Sequence, residues 1–152
     1  MTRKMLNKKI EKRNISRISR FGLFAKEKIF KNEMVWVSSK EDVKTIHMSE
    51  LEKLDEVEKQ DWIDHCYQIG DYFHMDIDDT RLMNHSCEPN TVDFPKEDPN
   101  AIIAARDIEK DEEITWNYLP FMNPFQVFSC NCGSKNCVKI VRKNATAKSR
   151  LQ

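Results

Sequence analysis

Apolar residues in this chain come in short bursts separated by charged or turn-forming residues. Gly22-Leu23-Phe24-Ala25 and Ile29-Phe30 follow a basic run in which Ile10, Ile15 and Ile18 are spaced apart, so residues 9–37 predict short strands and turns. Lys31-Asn32-Glu33 marks a turn, and Met34-Val35-Trp36-Val37 has the length and branching of a buried strand. Ala101-Ile102-Ile103-Ala104-Ala105 predicts another. A charged turn from Asp107 to Glu113 leads into Ile114-Thr115-Trp116-Asn117-Tyr118, whose alternation suits a half-buried strand. Residues 49–69 have a different period. Ser49 and Glu52 make a capping box, Leu51, Leu54 and Val57 mark one apolar face, and Trp62, Ile63, Cys66 and Tyr67 mark a second, offset one. The offset predicts two short helices with a kink between them. Pro120 and Pro124 then interrupt regular structure. The class is α+β, with many short strands and one helical insertion.

At 152 residues, 39% hydrophobic and 33% charged, the chain suits one domain with a modest core. No apolar run approaches the ~18–20 residues of a membrane span. The basic opening residues lack the apolar segment of a secretory signal, so the expected location is intracellular, cytoplasmic or nuclear. Zero net charge hides an asymmetry: residues 1–20 carry eight basic groups against one acidic (+7), residues 138–152 carry five and no acid (+5), and the middle is −12. Such runs commonly form solvated faces. They also allow an acidic surface to draw in a basic partner, and basic ends to touch an acidic one such as nucleic acid. Nothing in the pattern sets an oligomeric state.

Candidate chemistry concentrates in Arg81-Leu82-Met83-Asn84-His85-Ser86-Cys87-Glu88-Pro89-Asn90. An amide pair, an imidazole, a hydroxyl and a thiol lie within a few positions, and each would need a designed partner if buried, at ~1–3 kcal/mol for an unpaired group. Later, Cys130-Asn131-Cys132-Gly133-Ser134-Lys135-Asn136-Cys137 has the pattern C-x-C-x4-C. Three thiolates this close can wrap one zinc ion, and a structural site wants a fourth ligand. Cys66 sits on an apolar helix face, as reduced core cysteines do. Cys87 is therefore the expected fourth ligand, fastening the tail to the central loop.

Three separated elements together resemble one family. Asn84-His85-Ser86-Cys87-Glu88-Pro89-Asn90, Glu112-Glu113-Ile114-Thr115-Trp116-Asn117-Tyr118 and Cys130-x-Cys132-x4-Cys137 look like a SET-domain protein lysine methyltransferase with its post-SET zinc motif, and Gly22-Leu23-Phe24-Ala25 is similar to that family's opening motif. The resemblance runs from about residue 15 to about residue 140. It implies a SET-domain fold of short β-sheets with a knot-like crossing, a short helical insertion at about 49–69 and a zinc-bound post-SET tail. The SET domain would occupy 1–120, with a basic segment at 1–14, and the post-SET segment and basic tail 121–152.

The resemblance further implies binding of S-adenosylmethionine by the backbone around Phe21, Gly22 and Leu23, and by Arg81, Asn84, His85, Tyr118 and Phe128. Tyr118 would be the catalytic tyrosine, Trp116 and Tyr118 would line the substrate channel, and Cys87, Cys130, Cys132 and Cys137 would hold structural zinc. Tyr72 is expected near the cofactor. The partner would be a protein with a basic, lysine-containing segment, such as a histone tail. A free lysine has a pKa of ~10.4, so the channel must favour its neutral form.

Three departures from the family pattern carry expectations of their own. Arg20-Phe21-Gly22 keeps only the second glycine of the usual Gly-x-Gly, so the loop must shift if Arg20 needs positive φ. Trp116 replaces a smaller aromatic and predicts a crowded channel that favours low methylation states. Val138-Lys139 replaces a common Arg-Gly. Two other readings compete: a catalytically weak SET module acting as a scaffold or peptide binder, and a hydrolase using Cys87 with a histidine base.

Overall fold

A computed structural model describes residues 6–94 and 100–145; residues 1–5, 95–99 and 146–152, and with them the outermost parts of both basic ends, lie outside the described residues. β1 (Ile10–Arg13) and β2 (Gly22–Ala25) form an antiparallel pair. β3 (Met34–Val37) belongs to a second sheet. β4 (Val43–His47) opens the insertion, which continues through a 3-10 segment at Met48–Lys53, helix α1 (Glu56–His65), β5 (Tyr67–Ile69) and β6 (Tyr72–Asp76). Then come β7 (Asn84–His85), β8 (Thr91–Asp93), β9 (Ala101–Ala104) and β10 (Glu113–Trp116), and the tail folds back as β11 (Phe128–Ser129) and β12 (Ile140–Val141).

The sheet orders are β1-β2-β10-β7, β3-β9-β8, β4-β6-β5 and β11-β12. Among the described residues all strand pairings are antiparallel except one: β7 lies parallel to β10, with Asn84 opposite Thr115 and Trp116 opposite His85. The Ser86 amide continues this ladder by donating to the Trp116 carbonyl at 3.1 Å. The expected crossing of the Asn84–Asn90 segment with the strand leading to Tyr118 takes this form.

One buried cluster unites the first two sheets through Leu23, Ala25, Ile29, Val35, Trp36, Met83, Ala104, Ile108 and Ile114. Two turns at its edge are built alike. In each, a left-handed residue (Asn32, φ 72°; Asp111, φ 71°) precedes a glutamate, and Glu33 and Glu112 each accept the backbone N–H of a residue three positions back at 3.1 Å. Asparagine and aspartate tolerate that backbone better than other side chains.

The insertion departs from its predicted helices. Ser49–Glu52 is not a capping box. His47 Nδ1 accepts from the Ser49 amide at 3.2 Å to cap the 3-10 segment, and Asp55 Oδ1 accepts from the Glu58 amide at 2.8 Å to start α1. The three-residue spacing of Leu51, Leu54 and Val57 suits a 3-10 turn better than an α-helix. Leu51 is buried, but Val57 is 82% exposed because α1 packs through Trp62 instead. Residues 67–69 pair with β6 as a strand, so the helical part ends at His65. Thr115, a polar position of the half-buried β10, is 8% exposed, since the Asn90 loop covers it and their side chains and amides bond mutually.

Candidate active site and metal centre

Gly22 makes the central junction possible. A Cβ there would sit 2.5 Å from Glu113 Oε2, which no side chain tolerates without displacing its neighbours. Into the space it leaves, Asn84 Nδ2 reaches both the Phe21 carbonyl at 2.7 Å and Glu113 Oε2 at 2.8 Å, while Ser16 Oγ donates to Glu113 at 2.8 Å. The opening motif, β7 and β10 are thereby fixed to one another. Arg20 is absent from the positive-φ positions, and its guanidinium lies over the Phe21 ring at 5.2 Å. The loop thus accommodates an arginine with ordinary backbone geometry.

Tyr118 is the hinge of the site. Its hydroxyl donates to the Met83 carbonyl, and its amide donates to His85 Nδ1 at 3.0 Å. Burial, reinforced by the Glu113 charge, raises the phenol pKa, so Tyr118 stays protonated and acts as a fixed dipole, not as a base. Two cavities meet at this side chain. One, of about 400 Å³, is lined by Phe21, Arg81, Asn84, His85, Tyr118 and Phe128. The other, of about 60 Å³, is lined largely by aromatic and aliphatic groups that include Trp36, Tyr67, Met83, Trp116, Tyr118 and Phe121. Arg81 borders both and lies 3.7 Å from Asp61 of α1.

The Trp116 ring is held on two sides. Its indole N–H donates to Asp93 Oδ1 at 2.8 Å, and Phe121 stacks on it with centroids 5.9 Å apart and an interplanar angle of 7°. His85, Tyr118 and Phe128 form a three-ring contact with centroids 5.4 to 6.3 Å apart.

The four cysteine sulfurs of Cys87, Cys130, Cys132 and Cys137 lie within 4.8 Å of one another. Four zinc–sulfur bonds of about 2.3 Å put tetrahedral ligands close to 4 Å apart, so this all-sulfur set fits structural zinc. Burial holds the Cys87 thiol up at about 11, and a cation's charge is what would make it a thiolate. Cys66 stays apart as expected: it caps α1 in the core, near Asn123 Nδ2 at 3.4 Å, and burial raises it to about 12. His85 Nε2 is 3.4 Å from Cys87 Sγ. Because His85 Nδ1 accepts from an amide, its proton sits on Nε2 and points at the sulfur. Burial lowers this imidazole to about 4, so it is a neutral donor to Cys87 and no base for it. That arrangement removes the Cys–His hydrolase reading.

Of the other expected site residues, Leu23 turns its side chain into the core and Gly22 lies beneath Glu113, while their neighbour Phe21 lines the cavity of about 400 Å³. Tyr72 is half exposed, packs edge-on against His47 and lines neither cavity. Tyr67 occupies the wall instead, T-shaped to Trp116 at 6.5 Å. Glu113, Trp36, Asp76 and Gln126 also contribute to the junction or its walls. Nothing local in the sequence distinguishes them from ordinary strand and loop residues.

Short sheets, a parallel β7–β10 contact and a tail tied by four thiols define a SET domain. Residues 20–119 match the profile of the SET domain family, and the chain belongs to that family. It is 35% identical over 135 residues to human histone-lysine N-methyltransferase 2D, covering 82% of this chain and 2% of that protein. It is 34% identical over 137 residues to an Aspergillus oryzae histone-lysine N-methyltransferase specific for H3 lysine 4, covering 80% of this chain and 11% of that one. A Plasmodium falciparum structure of a candidate histone methyltransferase superposes with a TM-score of 0.53 at 25% identity, over 74% of this chain and 95% of that one. The chain thus spans a small part of the curated relatives it matches.

Proposed function

We propose that this chain is a protein lysine N-methyltransferase that uses S-adenosylmethionine and acts on a basic, lysine-containing segment such as a histone tail. The observation that carries this reading is the meeting of two cavities, one of about 400 Å³ and one narrow and aromatic-walled, at the Tyr118 side chain. S-adenosylmethionine supplies a sulfonium methyl group for displacement by an amine. Phe21, Arg81, Asn84, His85 and Phe128 would hold that cofactor, with the Arg81 guanidinium available to an anionic group. Cys87, Cys130, Cys132 and Cys137 would hold zinc, which keeps Phe128 against Tyr118.

The protein's work is positional and electrostatic. Tyr118, anchored to the Met83 carbonyl, keeps its oxygen lone pairs in a fixed direction where the cavities join. The aromatic walls disfavour an ammonium and so favour the neutral amine. The outer face of α1, with exposed Glu56, Glu58 and Asp64, draws basic segments toward the site. Because Asp93 and Phe121 pin Trp116, the channel cannot widen by swinging that ring away, which favours mono- and dimethyl products. Efficient trimethylation in a mass spectrum would refute that specificity.

The test incubates the protein with labelled S-adenosylmethionine and a mixed protein panel. Tyr118→Phe should transfer methyl roughly 100-fold more slowly, the scale of losing one positioned polar group. Full activity in that variant would remove Tyr118 from its role, and calorimetry showing no cofactor binding by the wild type would favour a scaffold.

A further inference from the structure

The inner half of the opening basic run is built into the fold. Between residues 6 and 20 it carries six basic groups against Glu11 alone. The loop from Asn14 to Phe21, which joins β1 to β2, is pinned at both the body and the tail. Ser16 Oγ accepts from the Ile18 amide at 3.0 Å and donates to Glu113 at 2.8 Å, and the Ile18 carbonyl accepts from Asn131 Nδ2 at 3.3 Å. Lys12, Arg17 and Arg20 are exposed and have no carboxylate partner among the described residues. Arg13 differs, being held by Asp111 at 2.9 Å and by Glu11 at 3.4 Å. A fixed cluster of cations without acids makes a positive surface that draws in anions.

An aromatic ring lies within this cluster. Phe21 is 38% exposed, with Lys12 Nζ 5.9 Å and the Arg20 guanidinium carbon 5.2 Å from its ring centroid. With Ile15, which is 65% exposed, it lines an open depression of about 440 Å³ whose other walls are Lys12, Arg13 and Asn14. A small inorganic anion or an acidic peptide would use the cations of this surface and leave its apolar part uncovered. A nucleotide chain uses both, because it alternates planar bases with phosphates.

We propose that the β1–β2 hairpin and its loop bind single-stranded nucleic acid, with a base stacked on Phe21 and the backbone phosphates drawn to Lys12, Arg17 and Arg20. Stacking on an exposed aromatic ring is tolerant of sequence, since every base has a π-face, and cations that track the backbone accompany it. Lys12 and Arg20 lie over the ring, and their long stems let the charged heads move to phosphates while a base takes their place. A duplex keeps its bases stacked on one another and offers this surface only phosphates. Phe21 also lines the cavity of about 400 Å³ beside Tyr118, so the strand would lie next to the candidate active site. The binding itself does not depend on the methyltransferase reading.

The test is fluorescence anisotropy of a short labelled oligothymidylate titrated with the zinc-loaded full chain. Binding should saturate and weaken with salt, with log affinity falling against log salt at a slope of about −2 or steeper, from three phosphate contacts at ~0.7 each. Lys12→Ala combined with Arg20→Ala should make that slope shallower by about 1.4. Phe21→Leu, which stays apolar but loses the π-face, should weaken binding roughly 10- to 100-fold with the slope unchanged, the scale of losing one stacked base. Phe21→Tyr should restore most of the affinity, and a melt confirms that each variant is folded. A duplex and a polyglutamate of matched charge should bind more weakly and be indifferent to Phe21→Leu. No saturable binding by the wild type, full affinity in Phe21→Leu, or a duplex or polyglutamate held as tightly as the single strand would each overturn the proposal. If the oligothymidylate binds through Phe21 while no protein is ever methylated, the activity reading fails and the surface stands.

Discussion

The body of the domain and its tail are held together by different physics. The body buries a continuous apolar cluster contributed by β2, β3, β9, β10 and their turns, in which Leu23, Ala25, Ile29, Val35, Ala104, Ile108 and Ile114 have no exposed surface. The tail's apolar cluster consists of buried Met122, Val138 and Val141, with Tyr118, Phe128 and two of the cysteines packed around them. So small a cluster cannot offset the entropy of ordering more than twenty residues at ~1–2 kcal/mol each. A structural zinc, worth ~10–16 kcal/mol in small peptides, can. The geometry of the candidate site is therefore divided: the body fixes Tyr118 and Asn84, and Phe128 comes from the tail that a cation on the four thiols would hold.

This difference can be broken most directly at Cys87. Cys87→Ser should reduce zinc from one per chain to none by elemental analysis. Amide exchange across 128–141 should become fast while β2 and β10 stay protected. Simultaneous loss of protection in both regions would mean that they are one cooperative unit. Next in size is a matched pair of truncations. Leu23→Ala should lower global stability by about 2–5 kcal/mol in denaturant melts, whereas Val141→Ala should leave the global midpoint nearly unchanged and lower only zinc affinity.

A third test concerns pH within the body. Asp76 is held near 7 when folded, against about 3.9 in an unfolded chain. Its raised folded pKa contributes stability that is fully present below about pH 4 and is lost as pH rises to about 7. Asp76→Asn should remove this slope and stabilise the protein by on the order of 2 kcal/mol at pH 8, with little change at pH 4, in paired melts. The smallest effect belongs to the tail. Lys139 stands at φ 70° where the family often has glycine, so Lys139→Gly should stabilise the tail by about 1 kcal/mol in a zinc-competition assay.

Much of this was legible in the linear pattern because the chemistry is local. The cysteine spacing, the Asn84–Asn90 run and the strands at 34–37 and 101–104 are short signals that survive into the fold. The insertion departs from its pattern where two weak signals compete. Ser49–Glu52 has the form of a cap, but His47 and Asp55 sit where the chain turns, and apolar residues three apart mimic a helix face. Asp76 gave no signal at all, since an acid at the end of a strand is ordinarily solvated. Only tertiary packing removes it from water, leaving it 7% exposed.

The β7–β10 contact joins positions some thirty residues apart in the same direction. During synthesis, Asn84 and His85 must wait for Trp116 to emerge before their edge is covered, and Phe128 finds Val141 later still. A nascent chain stalled before Val141 would expose that apolar edge to chaperones. The candidate site is completed only when β12 has been made.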